Sequence, residues 1–293
     1  MHFPAVKKAA KPKDRASAPA GKPLAARSQR AIVKFYRSLL REWGPQNWWP
    51  AESKFEVIVG AILTQNTSWT NVEKAMHNLR EAGILSLEAI DQADCARLET
   101  LIRPAGYFRQ KTRRLQDLTA FILANYGAGK TSADGGEHPA MARLFDQPTE
   151  KLRNALLEQK GVGPETADSI LLYGGNHAVF VVDAYTRRVF ERHKLVTPAT
   201  DYKTIRLLVE RSLRKLPPDG RGRGDSASRG EAARRPVVHD PSAISMGSRP
   251  EPAQRYNEFH ALLVQVGKHY CLKKAPNCTN CPLSRFLPVS DNG

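Results

Sequence analysis

The sequence predicts an all-α protein, and three observations carry that prediction. Apolar residues recur at helical spacing through most of the chain. Runs with strand-like alternation are almost absent, and the one β-like stretch, Ala178 to Val182, is short and isolated, so an extended loop suits it better. Between Leu152 and Val189 the chain reads as a short helix, a glycine-rich turn at Lys160-Gly161-Val162-Gly163, a second helix and then an aspartate, Asp183.

Order is predicted to begin at Ser28, a good N-cap, with Ile32, Val33, Tyr36, Leu39, Leu40 and Trp43 on one helical face and Gly44 stopping the helix. Trp48-Trp49-Pro50 follows in a loop. Phe55 to Leu63 is apolar nearly all round, as a buried central helix should be, and it ends in Thr64-Gln65-Asn66-Thr67-Ser68-Trp69. Further helices are expected near 70–82, 94–102 and 109–125, with Cys95 a small buried hydrophobe in the second of these and a loop over 127–147. Thr149 is a plausible N-cap for the helix before the turn. Gly161 and Gly163 permit a sharp reversal, and Pro164 suits the first position of the next helix. That helix start, beside two glycines, presents N–H groups to an anion such as a DNA phosphate. Two more helices fall near 201–215 and 254–270.

Residues 1–27 are a basic, Ala/Pro-rich arm expected to be disordered, and 217–253 a polar, low-complexity insertion expected to behave likewise. The ordered chain is then 28–216 and 254–287. The 293 residues carry 45 Lys and Arg against 29 Asp and Glu, a formal charge of +16, which favours a polyanionic partner. The longest apolar run is too short to span a bilayer, and no secretory signal is present; an intracellular setting, cytoplasmic or nuclear, is the expectation. Three of the four cysteines bunch near the C-terminus as Cys271, Cys278 and Cys281, a pattern that suits a metal or cluster loop better than a disulfide framework.

The turn, the apolar run and the aspartate in this order resemble the helix-hairpin-helix (HhH-GPD) DNA glycosylase superfamily of endonuclease III. The resemblance covers most of the ordered chain, with the helix-hairpin-helix at 150–174. It implies a two-lobed all-α fold, a hairpin at Gly161, Val162 and Gly163 that grips DNA, and a catalytic Asp183. Bifunctional members carry a Schiff-base lysine two residues after the second glycine; that position is Glu165. WWPAESKFEVIVGAILTQNTSW together with GVGPETADSILLY is similar to the 3-methyladenine glycosylase branch, which implies a base pocket at Trp48, Trp49, Pro50 and Trp69 and a wedge into the duplex at Gln65 and Asn66. Lys111 is a candidate phosphate contact; a solvated helix face is the alternative. Cys271, Cys278 and Cys281 follow the start of the family's 4Fe–4S loop, but Leu287 stands where its fourth cysteine should fall, so that 271–293 reads as a degenerate loop and tail. A cluster with an odd fourth ligand such as Asp291, a zinc site using His269, and a loop without metal all remain open.

The activity expected from the resemblance is a monofunctional glycosylase, acting as a monomer, that flips alkylated purines out of double-stranded DNA and hydrolyses the N-glycosidic bond. A carboxylate at a helix N-terminus stays ionised and suits that chemistry; N-capping is its plainer role, and the two are compatible. Two other readings stand beside it: a non-catalytic helix-hairpin-helix DNA-binding protein, and a bifunctional endonuclease III-type enzyme for oxidised pyrimidines with a lysine recruited from elsewhere, such as Lys160.

Overall fold

The computed structural model describes residues 22–127, 137–217 and 242–288; the basic arm before residue 22, most of the insertion and the tail with Asp291 lie outside them. Among the described residues every regular element is helical. In chain order they are α1 (Lys22–Trp43), α2 (Lys54–Leu63), α3 (Trp69–Glu81), α4 (Leu87–Gln92), α5 (Cys95–Ile102), α6 (Phe108–Tyr126), α7 (Pro139–Phe145), α8 (Thr149–Leu157), α9 (Pro164–Ser169), α10 (Ala184–Arg192), α11 (Tyr202–Leu213), α12 (Ala243–Met246) and α13 (Ala253–His269).

Two apolar cores organise these helices into two lobes. One gathers Phe55, Ile58, Ile62, Val72, Leu79, Leu98, Leu115, Leu118, Leu144 and Leu156 from α2 to α8, the middle of the chain. The other brings the chain's two ends together: Phe35, Tyr36 and Leu39 of α1 pack with Phe190, Val209, Phe259, Leu262 and Val266. Two segments belong to both. Helix α2 gives Val57 to the second core and Ile58 and Val59 to the first. The single π-helical turn Ile170–Gly174, continuing α9, gives Ile170 and Leu171 to one and Leu172 and Tyr173 to the other. Such a turn re-aims successive side chains, and this one turns Tyr173 toward the inter-lobe site.

Several expectations are corrected. Helix α1 begins six residues before Ser28, which is no cap: it is buried mid-helix and donates its hydroxyl to the Leu195 carbonyl (3.0 Å), pinning α1 to the other end of its lobe. The expected loop 127–147 contains α7 in its second half, where Met141, Leu144 and Phe145 are buried. A short helix, α4, precedes α5 and is capped by Ser86. Pro148, not Thr149, occupies the N-cap of α8, and the Thr149 hydroxyl pairs with His177 Nδ1 (2.9 Å). Cys95 is exposed at the first turn of α5, where its thiol faces the Gln116 side chain. The last stretch of the expected insertion, 242–253, is structured: it forms α12 and runs into the start of α13.

Candidate active site between the lobes

Asp183 is the N-cap of α10: its Oδ1 accepts the Thr186 N–H at 2.7 Å while its backbone is extended. A carboxylate in that place lies at the positive end of the helix dipole. Burial alone would raise its pKa, but His260 and the Thr186 hydrogen bonds outweigh burial and hold it below the usual carboxylate value. His260, on α13, places Nε2 3.6 Å from Asp183 Oδ2.

Glu165 sits in the first turn of α9, just past the hairpin, at the lip of the same site. Desolvation, then the negative charge of Asp183, push its carboxyl up to about 7, with His260 opposing. Two carboxyls whose pKa values are pushed in opposite directions therefore share the site, a separation that suits one charged and one proton-exchanging role.

The tryptophans divide. Trp49 and Trp69, with Pro50, Gly60 and Met76, line a cleft of about 140 Å³ together with the charged side chains of Glu56, Glu73 and Arg80. Their rings meet edge-on at 4.9 Å, and the other face of Trp49 stacks on Tyr173 at 4.7 Å. The indole N–H groups of Trp49 and Trp69 are buried without a hydrogen-bond partner among the described residues. Buried donors of this kind cost the fold free energy. Trp48 is not among the side chains lining this cleft; it is buried beside it, packing against Trp49 at 5.8 Å and Trp69 at 6.2 Å between ring centroids. The loop is braced from the insertion side, which the sequence did not suggest. Ser242 Oγ accepts the Ala51 N–H (3.1 Å), and the Ile244 N–H donates to the Ala51 carbonyl (3.1 Å).

The hairpin is also tied down. Gly161 has φ +82°, and a Cβ there would collide with the Arg114 side chain, so glycine is required on both counts. Val162 is corrected as a contact residue: its side chain is buried and its N–H is already given to the Gln159 carbonyl. Gly161 and Gly163 are exposed. Gln65 is not a free wedge. Its amide donates to Gly161 O (3.0 Å) and Thr166 Oγ1 (2.9 Å) and accepts from Arg114, clamping the end of α2 to the hairpin. Asn66 is the exposed member of the pair, in the left-handed region at φ 54°.

Lys111 is the largest correction. It is 1% exposed, and its ammonium donates to the carbonyls of Leu63 and Ala105, both at 2.8 Å. Burial, with Arg114 nearby, lowers its pKa to about 8. It satisfies the C-terminal end of α2 and cannot reach a phosphate.

Cys271, Cys278 and Cys281 line one cavity with Arg192, His193, Val266, Tyr270 and Leu287. Burial, with the neighbouring thiols adding to it, raises the Cys281 pKa, and Arg192 donates to Cys271 Sγ. Leu287 lines the same cavity with a side chain that cannot ligate, and His269 turns instead to Gln265 (3.1 Å). Among the described residues no three His, Cys, Asp or Glu side chains converge on a metal-sized point. The donor set does not fit a cluster held by four thiolates, and no step of the chemistry is routed through one.

Comparison with known proteins agrees with this geometry. Residues 59–215 match the profile of the HhH-GPD superfamily base excision DNA repair protein. The chain belongs to that superfamily. As a member it is a DNA glycosylase of base excision repair. The chain is 40% identical over 255 residues to a provisionally named DNA repair glycosylase of Methanocaldococcus jannaschii, covering 87% of this chain and 94% of that one. An endonuclease III homologue of Arabidopsis thaliana is 25% identical over 82% of this chain and half of its own length. Among solved structures, the H. pylori 3-methyladenine DNA glycosylase bound to 1,N6-ethenoadenine superposes with a TM-score of 0.58 at 27% identity, over 82% of this glycosylase and 97% of that one. An endonuclease III–DNA complex shares the fold at a TM-score of 0.59 and 17% identity.

Proposed function

We propose that this glycosylase is monofunctional and removes alkylated purines, of the 3-methyladenine type, from double-stranded DNA by hydrolysis. The observation that carries the reading is Glu165. The position from which a hairpin lysine would form an imine holds a carboxyl, and the groups that act most strongly on Asp183 are His260 and Thr186, neither of them an amine. The two aromatic walls of the cleft add support, since an alkylated purine is flat and, when cationic, gains from the faces of Trp49 and Trp69. The named activity of the H. pylori neighbour points the same way.

In this mechanism the flipped base enters the cleft and stacks against the tryptophan rings that line it. N-alkylation already makes the base a good leaving group, so the enzyme need not protonate it strongly. Asp183, held ionised, stabilises the oxocarbenium-like sugar and orients the attacking water. Gly161 and Gly163 hold the phosphate backbone, and Asn66 occupies the gap left in the duplex.

The test is incubation with duplexes carrying single defined lesions, scoring base release and strand scission separately. Release of methylated adenine without scission, and without a borohydride-trapped adduct, is expected. Scission with a trapped adduct on oxidised pyrimidines would replace this reading with the bifunctional one.

A further inference from the structure

Behind Asp183 lie two buried side chains that the hydrolysis just described does not use. Tyr173 is 1% exposed and His260 4% exposed, and the Tyr173 hydroxyl lies 2.6 Å from His260 Nδ1. Burial and the negative charges of Asp183 and Glu165 push the Tyr173 phenol well above its ordinary pKa, so it keeps its proton. A phenol that keeps its proton is able to donate to a ring nitrogen at this distance; with Nδ1 as the acceptor, the proton of a neutral imidazole resides on Nε2, the nitrogen that faces Asp183. That Nε2 is buried, has no hydrogen-bond partner among the described residues, and stands 3.6 Å from Asp183 Oδ2. The separation exceeds a hydrogen bond and is closed by a sub-ångström shift, as catalytic contacts often are when substrate binds. Since Oδ1 is already taken by the Thr186 N–H, the imidazole faces the other carboxylate oxygen.

We propose that Tyr173 and His260 are positioning residues: Tyr173 fixes the tautomer that presents Nε2–H to Asp183, and His260 thereby orients the carboxylate toward the sugar. The stack of Tyr173 on Trp49 joins this pair to the wall of the base cleft, so a base settling against Trp49 bears on the same chain of contacts. The groups around it are few. Glu165 faces Asp183 and His260 from α9, Arg249 acts on Tyr173 from the segment before α13, and Glu258 acts on Arg249.

The kinetic part of this inference rests on the hydrolytic reading; the tautomer does not. Nitrogen-15 NMR of the full chain should show His260 protonated at Nε2 and bare at Nδ1, and Tyr173→Phe should yield a mixture of tautomers. Single-turnover base release is then followed against pH in a Glu165→Gln background, which removes the second carboxyl. There His260→Leu should move the acid limb up by about one pH unit and lower the plateau roughly tenfold, with abasic-site DNA bound as before. His260→Gln, whose amide N–H stands where Nε2–H stood, should restore most of both. A proton on Nδ1 in the parent overturns the inference, as does equal loss in the Leu and Gln variants with an unmoved limb, which is the signature of packing alone. A parent with the Nε2 tautomer that releases no base sinks the hydrolytic reading instead.

Discussion

The site around Asp183 and the cysteine loop each lack one residue that their family pattern would supply, and they respond differently. At the hairpin, a carboxyl replaces an amine, and the surroundings absorb it: Glu165 takes a pKa of about 7 beside an ionised Asp183, with His260 acting on both. In the loop, Leu287 replaces a thiol, and among the described residues no fourth thiol takes over its role: the three cysteines share their cavity with Arg192, His193 and Tyr270. A site whose parts act through electrostatics tolerates a change of group when its neighbours can retune it. Ligation has no such latitude, because a donor is either present or absent.

The sharpest way to break the comparison is to damage both places and compare the losses. Asp183→Asn should lower single-turnover base release by about 10²–10⁴-fold, because Asn still caps the helix but carries no charge. Cys281→Ser should leave that rate within about twofold and stability within about 1 kcal/mol. If both variants lose base release alike, the loop belongs to the machinery.

Lys111→Ala tests how far the clamp around the hairpin is structural. Two buried carbonyls lose their donor, so stability should fall by about 2–4 kcal/mol in urea unfolding, and the slope of DNA affinity against salt should stay as it was. A slope smaller by about one unit would return Lys111 to the phosphate backbone.

Leu287→Cys sharpens the contrast from the other side. A fourth thiol in the same cavity should let the purified protein retain iron and visible absorption that the parent loses on desalting. Equal iron in both would show that three thiolates suffice.

The smallest effect is the pH dependence of stability at Glu165. Its folded pKa lies above its unfolded value, so the native state binds the proton more tightly. The stability this adds is present below about pH 4.5 and is lost as pH rises toward 7. Glu165→Gln should therefore raise Tm above pH 7 and match the parent near pH 4.5, in scanning calorimetry at both ends. An equal difference at both pH values would assign the effect to packing.

The helices that could be read in advance were those with an amphipathic or wholly apolar pattern, α2 and α6 above all, and local chemistry sufficed for the hairpin, the proline that opens α9 and the capping role of Asp183. The missing hairpin lysine and the missing fourth cysteine were equally plain, since an absence at a fixed spacing requires no coordinates. What failed most often was the judgement of which way a particular polar or aromatic side chain faces. Lys111 looked solvated because lysine usually is, yet the end of α2 offered two carbonyls that needed a donor. Trp48 and Trp49 are neighbours in sequence, and only one of them reaches the cleft. Tyr173, Glu165 and His260 come together at Asp183 across as many as 95 positions of chain, through a π-helical turn and the last long helix (165 to 260). Periodicity, caps and turns are local properties, so the sequence by itself determined the longer amphipathic and apolar helices, the hairpin and the family. Tautomer, protonation state and the lining of a cleft depend on groups brought close by packing, and the tertiary structure alone decided those.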